Sequence, residues 1–329
     1  VPVYKAIADI EACLVSVLEQ LPDDCELICI DDGSPDESMA LARQVIDRYP
    51  GLRHNVSCIA QANQGLSGAR NTGIRLARGR YIGFLDADDV LAPSYFERLR
   101  DVVDREPTAS IVCFNAQRLT TDASGAPRHD FLPVHAGAGT FDPQSGNGYA
   151  ALADDFARGR WFAWARLYEQ GLFKTHQFTL GFKYQDMLLL PELYRRSRRI
   201  VNIDDQLVTY RIHGASITAR PDSSTFQNLD AIIDYYLRRS PGLSAPLDGL
   251  RHLVVLSAIE SVFHAARRMH GTRAARAAMR KRQARVGAAR IARVLVQHGA
   301  RMNRRSLLLQ LSPSVFHGAG VIRRTIRCD

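Results

Sequence analysis

The chain has 329 residues, of which 46% are hydrophobic and 23% charged, with 43 Lys and Arg against 34 Asp and Glu for a formal net charge of +9. That balance is ordinary for a soluble globular protein large enough for one sizeable core or two smaller ones. No run of about 18 apolar residues is present, which argues against a spanning helix, and no signal peptide is visible.

In chain order, Val1 to Tyr4 reads as the end of a strand, so residues upstream are expected to be missing and targeting is left open. Ile10, Cys13, Leu14, Val17, Leu18 and Leu21 then repeat on one helical face. Glu26 to Asp31 is a second short strand, followed by the turn Asp32-Gly-Ser-Pro-Asp36 and a helix to about Tyr49. Val56 to Ala60 is a third strand, Gln61 to Ser67 a loop, Gly68 to Ala77 a helix and Tyr81 to Leu85 a strand. A helix over Ser94 to Arg105 and a strand over Ile111 to Asn115 follow. Such alternation predicts a parallel α/β sheet with right-handed crossovers, whose ligand crevice lies beyond the carboxyl ends of the strands.

Thr120 to Gly148 is rich in Gly, Pro, Ser and Asp and reads as an irregular excursion with room for short strands. Helical spacing returns near Tyr149 to Arg158 and Gln185 to Tyr194. After Thr225 it continues almost to the C-terminus, with a hinge at Pro241 to Pro246 and a break at His298 to Arg305. The six cysteines sit in apolar patterns without zinc-like spacing, as reduced core thiols of a cytosolic protein would.

The stretch Tyr81-Ile-Gly-Phe-Leu-Asp-Ala-Asp-Asp89 ends an apolar strand in three carboxylates. Hard divalent ions take oxygen ligands, and Mg2+ or Mn2+ commonly joins one or two carboxylates to substrate phosphates, so a metal-bound phosphate is the expected ligand. A dinucleotide-binding turn is set aside, because Tyr4 to Ala8 contains no glycine. An EF-hand register through Asp86, Asp88 and Glu97 puts Leu91 where the bend needs Gly and follows a strand rather than a helix.

Four segments in order, Val1-Pro-Val-Tyr4, Cys29-Ile-Asp-Asp-Gly-Ser-Pro-Asp36, Asn63-Gln-Gly-Leu-Ser-Gly-Ala-Arg-Asn-Thr-Gly73 and Gly79 to Asp89, carry a family likeness. Trp164 to Leu172 and Gln185-Asp186 extend it more loosely. The chain resembles the family 2 glycosyltransferases of the GT-A fold, over about residues 1 to 220. The resemblance implies an α/β, GT-A-like fold with a mostly parallel central sheet flanked by helices, as a catalytic domain over 1–220. A helical, basic region over 221–329 would follow. The implied activity is inverting transfer of a sugar from a nucleoside-diphosphate sugar, UDP favoured, to a glycan or polyprenyl-linked acceptor in bacterial surface polysaccharide synthesis.

Residue by residue, the resemblance implies that Pro2, Val3, Tyr4 and Asp32 cradle the nucleobase, a carboxylate being a suitable acceptor for an imide N–H. Arg70 would sit near the nucleotide, pairing with phosphate or with the acidic cluster. Asp86 and Ala87 would meet the donor, and Asp86, Asp88 and His213 would hold Mn2+ or Mg2+ against the leaving diphosphate. Asp89 is expected to orient the following segment and Asp31 to form the turn. Asp186 is the candidate base for the attacking hydroxyl, with Trp164 and Arg166 lining the acceptor cleft or touching the diphosphate. Gln185 and Lys5 depart from the family pattern, which commonly has an acid and an Asn there. A non-catalytic nucleotide- or carbohydrate-binding module of the same fold is the alternative.

Residues 261–329 hold 16 Lys or Arg against one acid, Asp329, so this segment carries +15 and the rest of the chain −6. The Ala/Arg-rich run Ala265 to Arg293 suits a helix lying on an anionic membrane surface, and the chain is expected in the cytoplasm or peripherally at the inner membrane face. Nucleic acid is not an expected partner, since no reading motif or interleaved aromatics accompany the charge.

Overall fold

The computed structural model describes residues 1–122, 124–212, 221–240, 246–302 and 304–311. It forms two compact units, residues 1–149 with 161–214, and residues 150–160 with 215–329.

The first unit begins with β1 (Pro2–Val3), α1 (Ile10–Leu18), β2 (Leu27–Asp31), α2 (Ser38–Asp47) and β3 (Val56–Ala60). The strands pair in the order β1-β2-β3, all parallel. α1 buries Ile10, Cys13, Leu14, Val17 and Leu18, the face that the sequence spacing marks. α3 (Gly65–Leu76) follows, opened by Gly65 at φ +73°, a conformation an L side chain rarely adopts. Seven of the twelve residues of α3 are buried, and its small residues allow the close approach: a Cβ on Gly73 would stand 4.0 Å from Ile30.

The remaining strands form a second sheet. β4 (Tyr81–Gly83), β5 (Val90–Leu91), α4 (Tyr95–Arg105), β6 (Ile111–Thr121), β7 (Pro127–Leu132) and β8 (Gly139–Phe141) come first. α5 (Gly146–Arg158), β9 (Arg166–Glu169), α6 (Gln185–Arg196) and β10 (Ile200–Arg211) complete the run. The order is β4-β9-β6-β10-β5, with β7 on β6 and β8 on β10.

Here the expected mostly parallel sheet is corrected. Only β6 and β10 run parallel, and the other five pairings of this sheet are antiparallel. The cause is local. β6 runs on past Asn115 and folds back as the β6–β7 hairpin through the Gly/Pro-rich excursion. β10, unread in the sequence, has its alternation broken by Asp204-Asp205, where its register against β6 slips between Ile203 and Gln206. β4 is also shorter than read, because Phe84 and Leu85 leave the ladder to enter the core.

The second unit is helical: α7 (Ser223–Arg238), α8 (Pro246–Val286), α9 (Ala288–His298) and α10 (Arg304–Leu311), joined by the 150–158 part of α5. A capping box between Asp222 and Thr225 starts α7. Gly271, at φ +78° and ψ 177°, breaks α8. The expected break after His298 is a 3-10 turn over Gly299–Arg301. Of the expected hinge, residues 241–245 lie outside the described residues, and Pro246 opens α8. Among the described residues no helix is long and apolar enough to cross a membrane.

Candidate active site

The acidic turn is anchored from behind. Phe84, the residue after β4, is buried and meets Tyr168, Phe173 and Phe178 edge-on at ring-centroid distances of 5.8, 5.8 and 5.4 Å. Each such pair contributes about 0.5–1.5 kcal/mol beyond its burial, so the backbone entering Asp86 is firmly placed. The Asp89 N–H then donates to the Asp86 carbonyl at 3.0 Å and closes the turn.

Arg70 links this turn to a distant element. Its Nη2 donates to Asp86 Oδ1 at 2.8 Å and its Nη1 to Asp186 Oδ1, also at 2.8 Å. The Arg70 side chain is 1% exposed, and its guanidinium lies over Phe178 and Phe84 at 5.3 and 5.8 Å. Burial works against the Arg70 charge, yet Asp86 and Asp186 outweigh it and raise its pKa. A planar fork can satisfy two carboxylates at once, which a lysine ammonium cannot do with the same geometry.

Asp186 stands in the first turn of α6, and its Oδ2 accepts the Ala163 N–H at 3.1 Å. Its side chain keeps 20% exposure. Burial lifts its carboxyl above the ordinary aspartate value of 3.8, against the lowering pull of Arg70 and the Ala163 amide. A carboxylate made more basic by its setting and still open to solvent suits proton abstraction. Gln185, beside it, is buried and accepts from Ser67 Oγ. Ser67 and Arg70 lie one turn apart on α3, so that helix holds the start of α6 at two points. Ser67, although inside the Asn63 to Gly73 segment, was given no role in the sequence, and the Ala163 amide carries no charge or motif signal there.

The nucleobase candidates gather at the carboxyl ends of β1 and β2. Pro2 and Val3 pair with Ile30 and Asp31, and the Asp32 N–H donates to the Val3 carbonyl at 3.0 Å. Asp32 is buried, its Oδ1 accepting Gln61 Nε2 at 2.7 Å and the Gln64 N–H at 2.9 Å. Asp31 accepts the Ser34 N–H at 2.9 Å, closing the turn. Tyr4 is exposed, and Lys5 takes φ +52° while its N–H donates to Ser34 Oγ.

Asp86 and Asp88 are half-buried, Ala87 is buried between them, and Asp89 is fully buried. Asp89 Oδ1 accepts the Arg211 N–H at 2.9 Å, tying the end of β10 to the turn. Among the described residues its Oδ2 has no hydrogen-bond partner. Burial, and then repulsion from Asp86 and Asp88, push its carboxyl up to about 9. Asp86 and Asp88, the two carboxylates open to solvent, are oxygen donors of the kind a hard divalent ion takes when it shares its shell with phosphate. Among the described residues no group of three or more His, Cys, Asp or Glu is gathered closely enough to hold a metal unaided. His213, also expected in the metal shell, lies outside the described residues.

Trp164 and Arg166 are not brought to the open side of the site. Trp164 is buried in a three-ring cluster, stacked on Phe162 at 5.0 Å and on Tyr210 at 5.1 Å. Arg166 is buried too, with Nε on Tyr194 Oη at 2.6 Å and Nη1 on the Phe162 carbonyl at 2.7 Å. Its charge nevertheless lowers the Asp186 carboxyl from behind.

Residues 1–166 match the Glycosyl transferase family 2. The chain belongs to that family. It is 31% identical over 224 residues to the glycosyltransferase EpsJ of Bacillus subtilis, which covers 67% of this chain and 62% of EpsJ. The chain thus spans less than two thirds of that relative's length. In fold, this member of family 2 resembles S. aureus TarS 1–349 solved with UDP-GlcNAc, at TM-score 0.65 and 13% identity over 96% of this chain and 86% of that one. It also resembles the mannosyltransferase PcManGT of Pyrobaculum calidifontis solved with GDP-Man and Mn2+, at TM-score 0.55 and 15% identity over 97% and 84%. The GT-A-like expectation is met, with the second sheet mixed.

Proposed function

We propose that this family 2 glycosyltransferase moves a sugar with inversion from a nucleoside-diphosphate sugar, UDP-linked by preference, to a glycan or lipid-linked hydroxyl in bacterial surface polysaccharide synthesis. Its catalytic domain is assigned to residues 1–220 and a helical, basic accessory region to 221–329. The observation that carries the reading is the Asp86–Arg70–Asp186 bridge, which joins the acidic turn to a basic carboxylate 116 residues from Arg70.

In this reading Pro2, Val3 and Tyr4 flank the base, and Asp32 accepts the imide N–H of uracil, which underlies the UDP preference. Asp86 and Ala87 contact the donor. Asp88 and Asp86, with His213, would hold Mn2+ or Mg2+, which when bound neutralises charge on the diphosphate. Arg70 fixes Asp86 and Asp186 at a set separation. Asp186 takes the proton of the acceptor hydroxyl as its oxygen bonds to the anomeric carbon and the bond from that carbon to the diphosphate breaks on the opposite face. Trp164 and Arg166 act as supports behind the acceptor side, Arg166 through its field on Asp186.

The base assignment is testable with one variant, Asp186→Asn, which keeps the shape of the side chain and removes its basicity. Transfer from UDP-sugars is expected to fall by at least about a hundredfold, the usual share of a general base. Binding of UDP with Mn2+, followed by calorimetry, should change little. Retained transfer would overturn the role of Asp186, and a wild-type chain that binds nucleotide but transfers nothing would instead be a binding module.

A further inference from the structure

Among the described residues β3 is the end strand of the first sheet, and its parallel register on β2 sets Cys58 directly opposite Cys29. Strand residues paired in this way point to the same face. On that face Cys29 is fully buried in the core of the first unit, and Cys58 is partly buried against the same core. One thiol is sealed and the other half-buried.

The spacing suits a covalent bond. Neighbouring strands lie about 4.8 Å apart, inside the roughly 4.4–6.8 Å between Cα atoms that a disulfide spans. The two thiols already interact. A hydrogen bond from Cys29, helped by the Arg43 charge on α2, holds the Cys58 thiol down to about 7 against the effect of its burial. The same hydrogen bond, together with burial, pushes Cys29 well up. Cys58 is therefore about half thiolate near neutral pH, the form that attacks disulfides. Cys25, the other half-buried thiol among the described residues, is raised instead, by burial first.

We infer that Cys58 and Cys29 form a redox pair, Cys58 the attacking thiol and Cys29 the resolving one, that takes a low-molecular-weight disulfide of the glutathione class as its substrate. In the first step the Cys58 sulfur bonds to one sulfur of the small disulfide, and the other leaves as a thiolate that takes a proton from water. In the second step the Cys29 sulfur bonds to Cys58 Sγ, the mixed disulfide breaks, and the proton of Cys29 passes to the departing thiolate. The pair gives up two electrons and two protons, and the small disulfide becomes two thiols. The new bond would join β2 and β3 beside the Asp32–Gln61 contact, since Asp32 follows Cys29 by three residues and Gln61 follows Cys58 by three. The inference stands apart from the donor assignment, because thiol chemistry is read without nucleotide or acceptor.

The test treats the full chain with oxidised glutathione at about pH 7.5 and locates each modified cysteine by fragment mass. The wild-type chain is expected to become lighter by two hydrogens, with Cys29 and Cys58 crosslinked by a bond that dithiothreitol opens. Cys58 should react at least about threefold faster than Cys25, its gain in thiolate being partly offset by lower nucleophilicity. Cys29→Ala should stop at a lasting glutathione adduct on Cys58. Cys58→Ser, a change at a half-buried position, should leave Cys29 unmodified. Adducts that accumulate on wild-type Cys58 without the crosslink would overturn the pairing. So would Cys25 reacting first, or a crosslink that forms only once urea has unfolded the chain.

Discussion

Arg70 makes two charge-assisted hydrogen bonds from one buried guanidinium, and both partners belong to the proposed chemistry. Arg70→Lys therefore tests the bridge without removing its charge. A single ammonium cannot hold both carboxylates in the same geometry, so kcat/KM should fall about ten- to a hundredfold. The pH profile gives a sharper readout. Asp186 must be ionised to accept a proton, so activity rises with pH through its pKa, which burial has already lifted above 3.8. Arg70 opposes that lift, so weakening its contact should move the acid limb to higher pH; an unmoved limb would separate the limb from Asp186. The acids, Arg70 and Asp186 were all legible in the sequence as residue types. Their mutual contact was not, because nothing local in Arg70 or Asp186 records a partner on another element.

Helix α3 is the element that places the site, since Ser67 and Arg70 both reach α6 from it. Its start depends on Gly65 at φ +73°, where an added Cβ would meet no atom within 4 Å. Gly65→Ala should thus cost about 1–2 kcal/mol through backbone strain alone, read as a lower midpoint in urea unfolding. Ser67→Ala removes the hydroxyl held by Gln185 and should cost about 1 kcal/mol. Because it loosens α6 rather than the nucleotide end, its effect should fall on kcat more than on UDP affinity. The sequence reading put Gly65 in a loop and began the helix at Gly68, since three glycines at Gly65, Gly68 and Gly73 look like loop composition. Burial against β2 overrides that weak propensity, and Gly73 becomes the point where α3 approaches Ile30.

The basic C-terminal charge is partly answered within its own unit. Arg282 pairs with Asp230 through Nε at 2.8 Å, and Arg285 reaches Asp230 and Asp234. Arg267, Arg273 and Arg280 of α8 and Arg293 of α9 are exposed and face solvent, where an anionic surface can reach them. We propose that this surface is the inner membrane face. Liposome flotation should show partitioning onto anionic vesicles that falls with salt and with removal of residues 265–329. Equal partitioning with and without that segment would end the proposal.

Apart from β5, the order of short strands and amphipathic helices over residues 1–115, and the four motif segments that mark the family, were determined by the sequence alone. Local periodicity and turn chemistry act over a few residues, and a linear reading sees them. Only the tertiary structure decided that the second sheet is mixed, that Trp164 and Arg166 lie inside rather than along the cleft, and that Arg70 joins Asp86 to Asp186. Strand direction, burial and ion pairing depend on which distant segments share a space, and no local pattern encodes that choice.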